Sequence, residues 1–214
     1  GSVAVYRIDG STWTQVGSTI DGIWEFGSKV AISDDGHRIA ASNLDDEVDA
    51  FRWTDGSWTQ LDTTISAGAH GEISLSANGH ILAVGDPNWN QDGLVKLYEW
   101  QGLTWQHVET FNGGPGFGSS VALAASGRHL VVGDPEANSG DGEVIVYWKA
   151  WGESWWQLGA DINGDPGDAA GTSVDMSDDG NRIVVGVPGA DGSAGNAGRT
   201  RVLEWDGDSW NDSN

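Results

Sequence analysis

Residues 119–133, SSVALAASGRHLVVG, decide the fold of this chain. Val121 and Leu123 alternate with smaller residues, the period-two mark of a strand. Ser126-Gly127 then supplies a pair that tolerates the positive φ a tight hairpin turn demands. Leu130-Val131-Val132-Gly133 follows as an unbroken apolar run, which suits a strand covered on both faces. The pattern is not unique to this stretch. SKVAISDDG begins at Ser28, GEISLSANG at Gly71 and TSVDMSDDG at Thr172, followed by RIAAS, ILAVG and RIVVG. Val30, Ile73, Val121 and Val174 therefore mark one position repeated every 43 to 53 residues, a period that signals a repeat architecture.

Working outward, each unit gains a third strand carrying Tyr6, Phe51, Tyr98, Tyr147 or Leu203. A second hairpin signal comes next, at Asp9-Gly10, Asp55-Gly56, Gln101-Gly102, Gly152 and Asp206-Gly207. A fourth strand then opens at Trp13, Trp58, Trp105, Trp155 and Trp210. No helical period appears. The expectation is an all-β fold, a β-propeller of four-stranded antiparallel blades with about four and a half repeats present. Residues 1–214 form one propeller domain or part of one: a half repeat at 1–22, then repeats at 23–68, 69–114, 115–165 and 166–214.

Phe117-Gly118 followed by Gly133-Asp134-Pro135 resembles the FG-GAP repeat of integrin-α-type propellers. Phe26-Gly27 matches its first half, and Gly85-Asp86-Pro87 and Gly186-Val187-Pro188 match its second. With the W-x-Q segments, the chain is similar to repeats of large secreted proteins of marine bacteria and algae. The resemblance implies a propeller, placed outside the cell or at its surface. Calcium-binding members carry a D-x-D-x-D-G hairpin. Here that hairpin is SDDG, SANG, AASG and SDDG, too short to supply calcium's shell of oxygens.

Composition excludes several functions. The chain carries 32 acidic residues against 10 Lys plus Arg, a formal charge of -22. Nucleic acid and anionic membranes would be repelled. With no Cys there are no disulfides, thiolate metal sites or Cys nucleophiles. No stretch reaches the length of an apolar membrane helix.

In this arrangement the tight turns lie at one end of the blades and the long connections at the other. The long connections hold more than half of the acids and a single base, Arg199. That face is read as a rigid, electronegative surface for a protein or glycan partner. Trp24, Trp89, Asp45, Asp46, Asp134 and Glu136 are its candidate ligand contacts. Asp86, Asn88, Asn90 and Asp92 alternate along DPNWNQDG as oxygen donors would in a calcium loop, so Ca2+ is the candidate ion. Asp134, Glu136, Asn138 and Asp141 form a looser copy. The Trp residues repeated at fixed strand positions read as packing between blades. The five His form no catalytic constellation, and spacing singles out no acid–base pair. The expectation is a non-catalytic adhesion or assembly module, with sugar binding through Trp24 and Trp89 as the alternative. Self-association through open strand edges would be a further property.

Overall fold

A computed structural model of the chain describes residues 1–68, 70–88, 91–191 and 197–213. The repeat becomes four successive antiparallel sheets, each with its strands in sequence order. The first comprises Val30–Ile32, Arg38–Ser42, Glu47–Thr54 and Ser57–Gln60, with Ile65–Ser66 returning to pair with the third strand. The second comprises Ile73–Leu75, Ile81–Asp86, Gly93–Trp100 and Trp105–Gly113. Ser120–Leu123, His129–Asp134, Glu143–Trp148 and Trp156–Gln157 form the third, again with a returning piece at Ile162–Asn163. Ser173–Met176, Arg182–Val187, Arg199–Trp205 and Trp210–Asp212 form the fourth. The leading half repeat is a hairpin, Tyr6–Asp9 with Thr12–Gln15, beside the pair Ser2–Val3 and Ile20–Asp21. Among the described residues no helix is long and apolar enough to cross a membrane.

The apolar runs behave as their composition dictates. Leu82, Ala83 and Val84 are fully buried, as are Leu130, Val131 and Val132. In the second and third sheets one face of the run packs on the preceding sheet and the other on the next, whereas the fourth run leaves Val184 40% exposed. Ile73, Leu82 and Val84 thus share a cluster with Ala40, Val48 and Ala50 of the first sheet. Ala83 lies instead with Val121, Leu123 and Leu130 of the third. A chain of backbone hydrogen bonds links the tight turns of successive sheets. Asp34 N donates to Ala77 O, Ala77 N to Ala125 O, and Ala125 N to Asp178 O.

Two sequence signals find their cause here. Phe117 is 1% exposed, and Gly118, at φ +90°, lies so close to the neighbouring strand that a Cβ would stand 2.6 Å from Leu94 O. Only glycine meets both conditions. The repeated Trp residues pair across the strands, Trp53 on Trp58 at 5.2 Å and Trp205 on Trp210 at 5.5 Å between ring centres. Trp58 Nε1 donates to Val16 O and Trp210 Nε1 to Leu158 O, each 2.9 Å and each into the preceding repeat. Trp155 departs from the pattern. The strand there starts at Trp156, and Trp155 packs edge-on against Phe111, because the turn at 149–154 is longer than its counterparts.

Candidate functional site

The second strand of each sheet runs from a tight turn to a long connection. In the first three sheets the residue at that end is polar and buried: Asn43, just past Ser42, is 4% exposed, Asp86 2% and Asp134 6%. Each of these side chains accepts backbone N–H groups from the loop that follows. Asn43 Oδ1 takes Asp45 N at 2.9 Å, Asp86 Oδ1 takes Asn88 N at 3.3 Å, and Asp134 Oδ1 takes Glu136 N at 3.2 Å and Ala137 N at 3.0 Å. Such turns suit Asn and Asp alike. Since Asn43 does the work with a neutral amide, the negative charge of Asp134 is not required to shape the loop.

The third sheet also places a second acid against Asp134. Glu143 is its direct cross-strand partner, and facing side chains in an antiparallel pair lie about 5 Å apart at Cβ. The other repeats avoid this conflict at the same register. Val187 faces Arg199, Asp86 faces Leu94, and Asn43 Nδ2 donates to Glu47 Oε2. Like charges opposed in this way are destabilising, so the pair is a candidate for function rather than for folding.

Burial pushes the Asp134 carboxyl up to about 6, with Glu136 adding to the rise and the two backbone N–H groups opposing it. Glu143 is also raised, first by burial and then by Asp161 and Asp134. Both acids line a pocket of about 470 Å³ whose remaining wall is Gly113, Gly114, Pro115, Phe117, Ile145 and the turn at Glu136–Asn138. The loop is closely fitted. A Cβ on Gly116 would come within 2.6 Å of Asp134 Oδ1. Together these features make a concave, partly desolvated site with two coupled carboxyls, one of which changes charge near neutral pH.

A second acidic cluster lies between the first two repeats. His70, solitary in the sequence, stands with Nδ1 2.9 Å from Asp46 Oδ1 and 3.6 Å from Asp86 Oδ1. The nearer contact is off the line of a hydrogen bond, so Asp46 Oδ1 has no such partner among the described residues. Burial raises the Asp86 carboxyl, and the charge of His70 opposes the rise. Gly68 closes over it, since a Cβ there would lie 2.2 Å from Asp86 Oδ2.

The structure thus brings Asp134 and Glu136 into one pocket and Asp46 into contact range of His70 beside Asp86. Trp24 is exposed and takes positive φ, its carbonyl accepting Leu44 N, while Asp45, Asn88 and Asp92 are exposed in loops. Trp89 and Asn90 lie outside the described residues. Among the described residues no three His, Asp or Glu side chains gather as a metal-binding group. Glu143 and Asp161 were not legible as site residues. The register of the hairpin, with Asp134 and Glu143 flanking its loop, was the available signal. A larger depression of about 830 Å³ at the tight-turn end of the fourth repeat contains Arg182 and Glu204, which neutralise each other in an ion pair. It offers no comparable chemistry.

Comparison with known proteins defines the class as an all-β, propeller-like fold. No family model and no curated protein matches the chain. Solved structures do. A candidate 6-phosphogluconolactonase from Bacteroides uniformis superposes with TM-score 0.68 at 10% identity, over 99% of this chain and 64% of that one. A protein of unknown function from Desulfotomaculum acetoxidans gives TM-score 0.70 at 14% identity, over 99% and 61%. TolB from Acinetobacter baumannii gives 0.57 at 15%, over 99% and 48%. The chain spans less than two thirds of the length of these structures. None of these likenesses reaches the FG-GAP type, so what is established is the propeller-like sheet architecture.

The comparison also corrects the functional expectation. The reading of the chain as a non-catalytic adhesion or sugar-binding module is overturned, because a similar structure is named as an enzyme. The physical error lay in reading the dispersed acids only as an electronegative surface for a partner. A scaffold of this kind does not exclude catalysis, and sequence spacing cannot show which acids become opposed across two strands.

Proposed function

We propose that the chain is a hydrolase of neutral esters or lactones, with Glu143 as general base and Asp134 as general acid. The observation that carries this reading is the opposition of these two buried-end carboxyls in one pocket. Below about 6, where Asp134 holds its proton, the Glu143 carboxylate accepts a proton from water as the water oxygen attacks the substrate carbonyl. Asp134 then gives its proton to the departing alkoxide as the acyl–oxygen bond breaks. The two acids exchange roles to restore the starting state. A carboxyl near 6 is matched to this task.

Charge sets the substrate class. Asp134, Glu136, Glu143 and Asp161 surround the reaction centre, so a phosphorylated lactone like the one in the neighbour's name is disfavoured here. Uncharged lactones and esters fit. The blades read as FG-GAP in type, supported by the buried Phe26 and Phe117, and an extracellular setting suits the strongly acidic surface.

The test is a panel of unphosphorylated γ- and δ-lactones and aryl acetates assayed from pH 4.5 to 8.5. Activity should fall as pH rises through about 6, and Asp134→Asn should lower kcat by roughly a hundredfold or more. Glu143→Gln should lower it comparably. A chain that hydrolyses none of these substrates, or whose Asp134→Asn variant retains full activity, would overturn the proposal.

A further inference from the structure

The opposite end of the blades carries the converse anomaly. Arg38 and Arg52 are direct cross-strand partners at the tight-turn end of the first sheet. The chain has 32 acids and only 10 Lys plus Arg, yet two arginines face each other and neither forms an ion pair among the described residues. The fourth sheet provides an internal comparison. At the same register, Arg182 faces Glu204 and the two are bonded. The fold therefore accepts an acid at the position of Arg52, and the like-charged pair is not needed to build the sheet.

The surroundings make a site of the two guanidinium groups. They line a pocket of about 450 Å³ with His37, Trp53, Asn78 and His80, between the first and second repeats. Arg38 is held in place by its stem. It packs on the turn at Gly79, approaches Gly79 O at 3.5 Å and lies 5.8 Å from the centre of the Trp100 ring. Asp35 also borders the pocket, but Oδ1 is already engaged by Ser33 Oγ at 2.7 Å and His37 N at 2.8 Å. Glu99 lines the adjoining depression together with His80, and Arg128 and Lys149 lie there as well. Burial first, and then Arg38, hold the His80 ring below its ordinary value.

We infer that the pocket between Arg38 and Arg52 is a binding site for a tetrahedral oxyanion, a phosphate or sulfate group. Two forked guanidinium groups at facing positions of adjacent strands, both lining the pocket, match the oxygen pairs of such a group. His80 and Asn78 are placed to supply further donors. An anion bound there would relieve the Arg–Arg repulsion that the sheet otherwise carries. The site lies at the far end of the strands from Asp134 and does not depend on that pocket's chemistry.

The experiment is a titration of the whole chain with inorganic phosphate at constant ionic strength, followed through the ring proton signals of His37 and His80. Inorganic sulfate is titrated in parallel. Saturable shifts of both rings are expected, with the tighter of the two ions identifying the group. Arg52→Glu recreates the pairing of the fourth sheet, so it should fold at least as well as wild type. It should nevertheless bind the ion at least tenfold more weakly. Arg182→Ala, at the paired position, should leave binding unchanged. Linear, non-saturating shifts in wild type would overturn the inference, as would Arg52→Glu binding that equals wild type.

Discussion

Replacing Asp134 by Asn should make the protein more stable and less active at the same time. The carboxyl is 6% exposed and rises from 3.8 to about 6, chiefly through burial. A shift of that size corresponds to about 3 kcal/mol against the ionised form, which screening by water in the open pocket reduces to about 1–2 kcal/mol. The sign follows from proton linkage. Between the unfolded value and about 6 the folded chain holds the proton more tightly. The stability contributed by Asp134 is therefore fully present in acid and is lost as pH rises through about 6. Asparagine can also accept two backbone N–H bonds, as Asn43 does from Asp45 and Glu47 in the first repeat, and it carries no charge to desolvate. Urea unfolding of wild type and Asp134→Asn at pH 7.5 and 4.5 measures the difference. The variant should be about 1–2 kcal/mol more stable at pH 7.5, worth roughly 2–8 °C in melting temperature, and the gain should shrink at pH 4.5. A variant that loses stability equally at both pH values would refute the reasoning, because the carboxylate would then be a structural requirement.

Asp86→Asn should behave in the same direction, with stability gained at neutral pH and the gain fading in acid, since burial also raises that carboxyl. Gly118→Ala should cost more than about 2 kcal/mol in denaturant unfolding, because φ +90° and the 2.6 Å approach to Leu94 O cannot both be relieved. Gly102→Ala has a similar φ of +88° but open space around it, so it should cost only about 1 kcal/mol. Trp58→Phe and Trp210→Phe each remove one indole hydrogen bond to the preceding repeat, and each should lower the unfolding free energy by about 1 kcal/mol.

The sequence by itself determined the sheets. Alternation at Val121 and Leu123, the Asp-Gly and Asn-Gly turns and the buried runs are local signals, each set by a few adjacent residues and each repeated at the same position. Repetition also showed that Trp58 and Trp210 belong to packing, since a contact between repeats must recur at a fixed place. The site was legible only in part. Asp134 and Glu136 stood out as acids in a long loop, but their partner Glu143 did not, and neither did His70 beside Asp46 and Asp86. Only the tertiary structure decided these pairings. Register across a hairpin sets which side chains face each other, and burial sets which of them bears its charge at a cost. The opposed acids at Asp134 and Glu143, and the opposed arginines at Arg38 and Arg52, are products of register. Both are invisible in composition, because a count of charges along a chain carries no information on which two lie five ångströms apart.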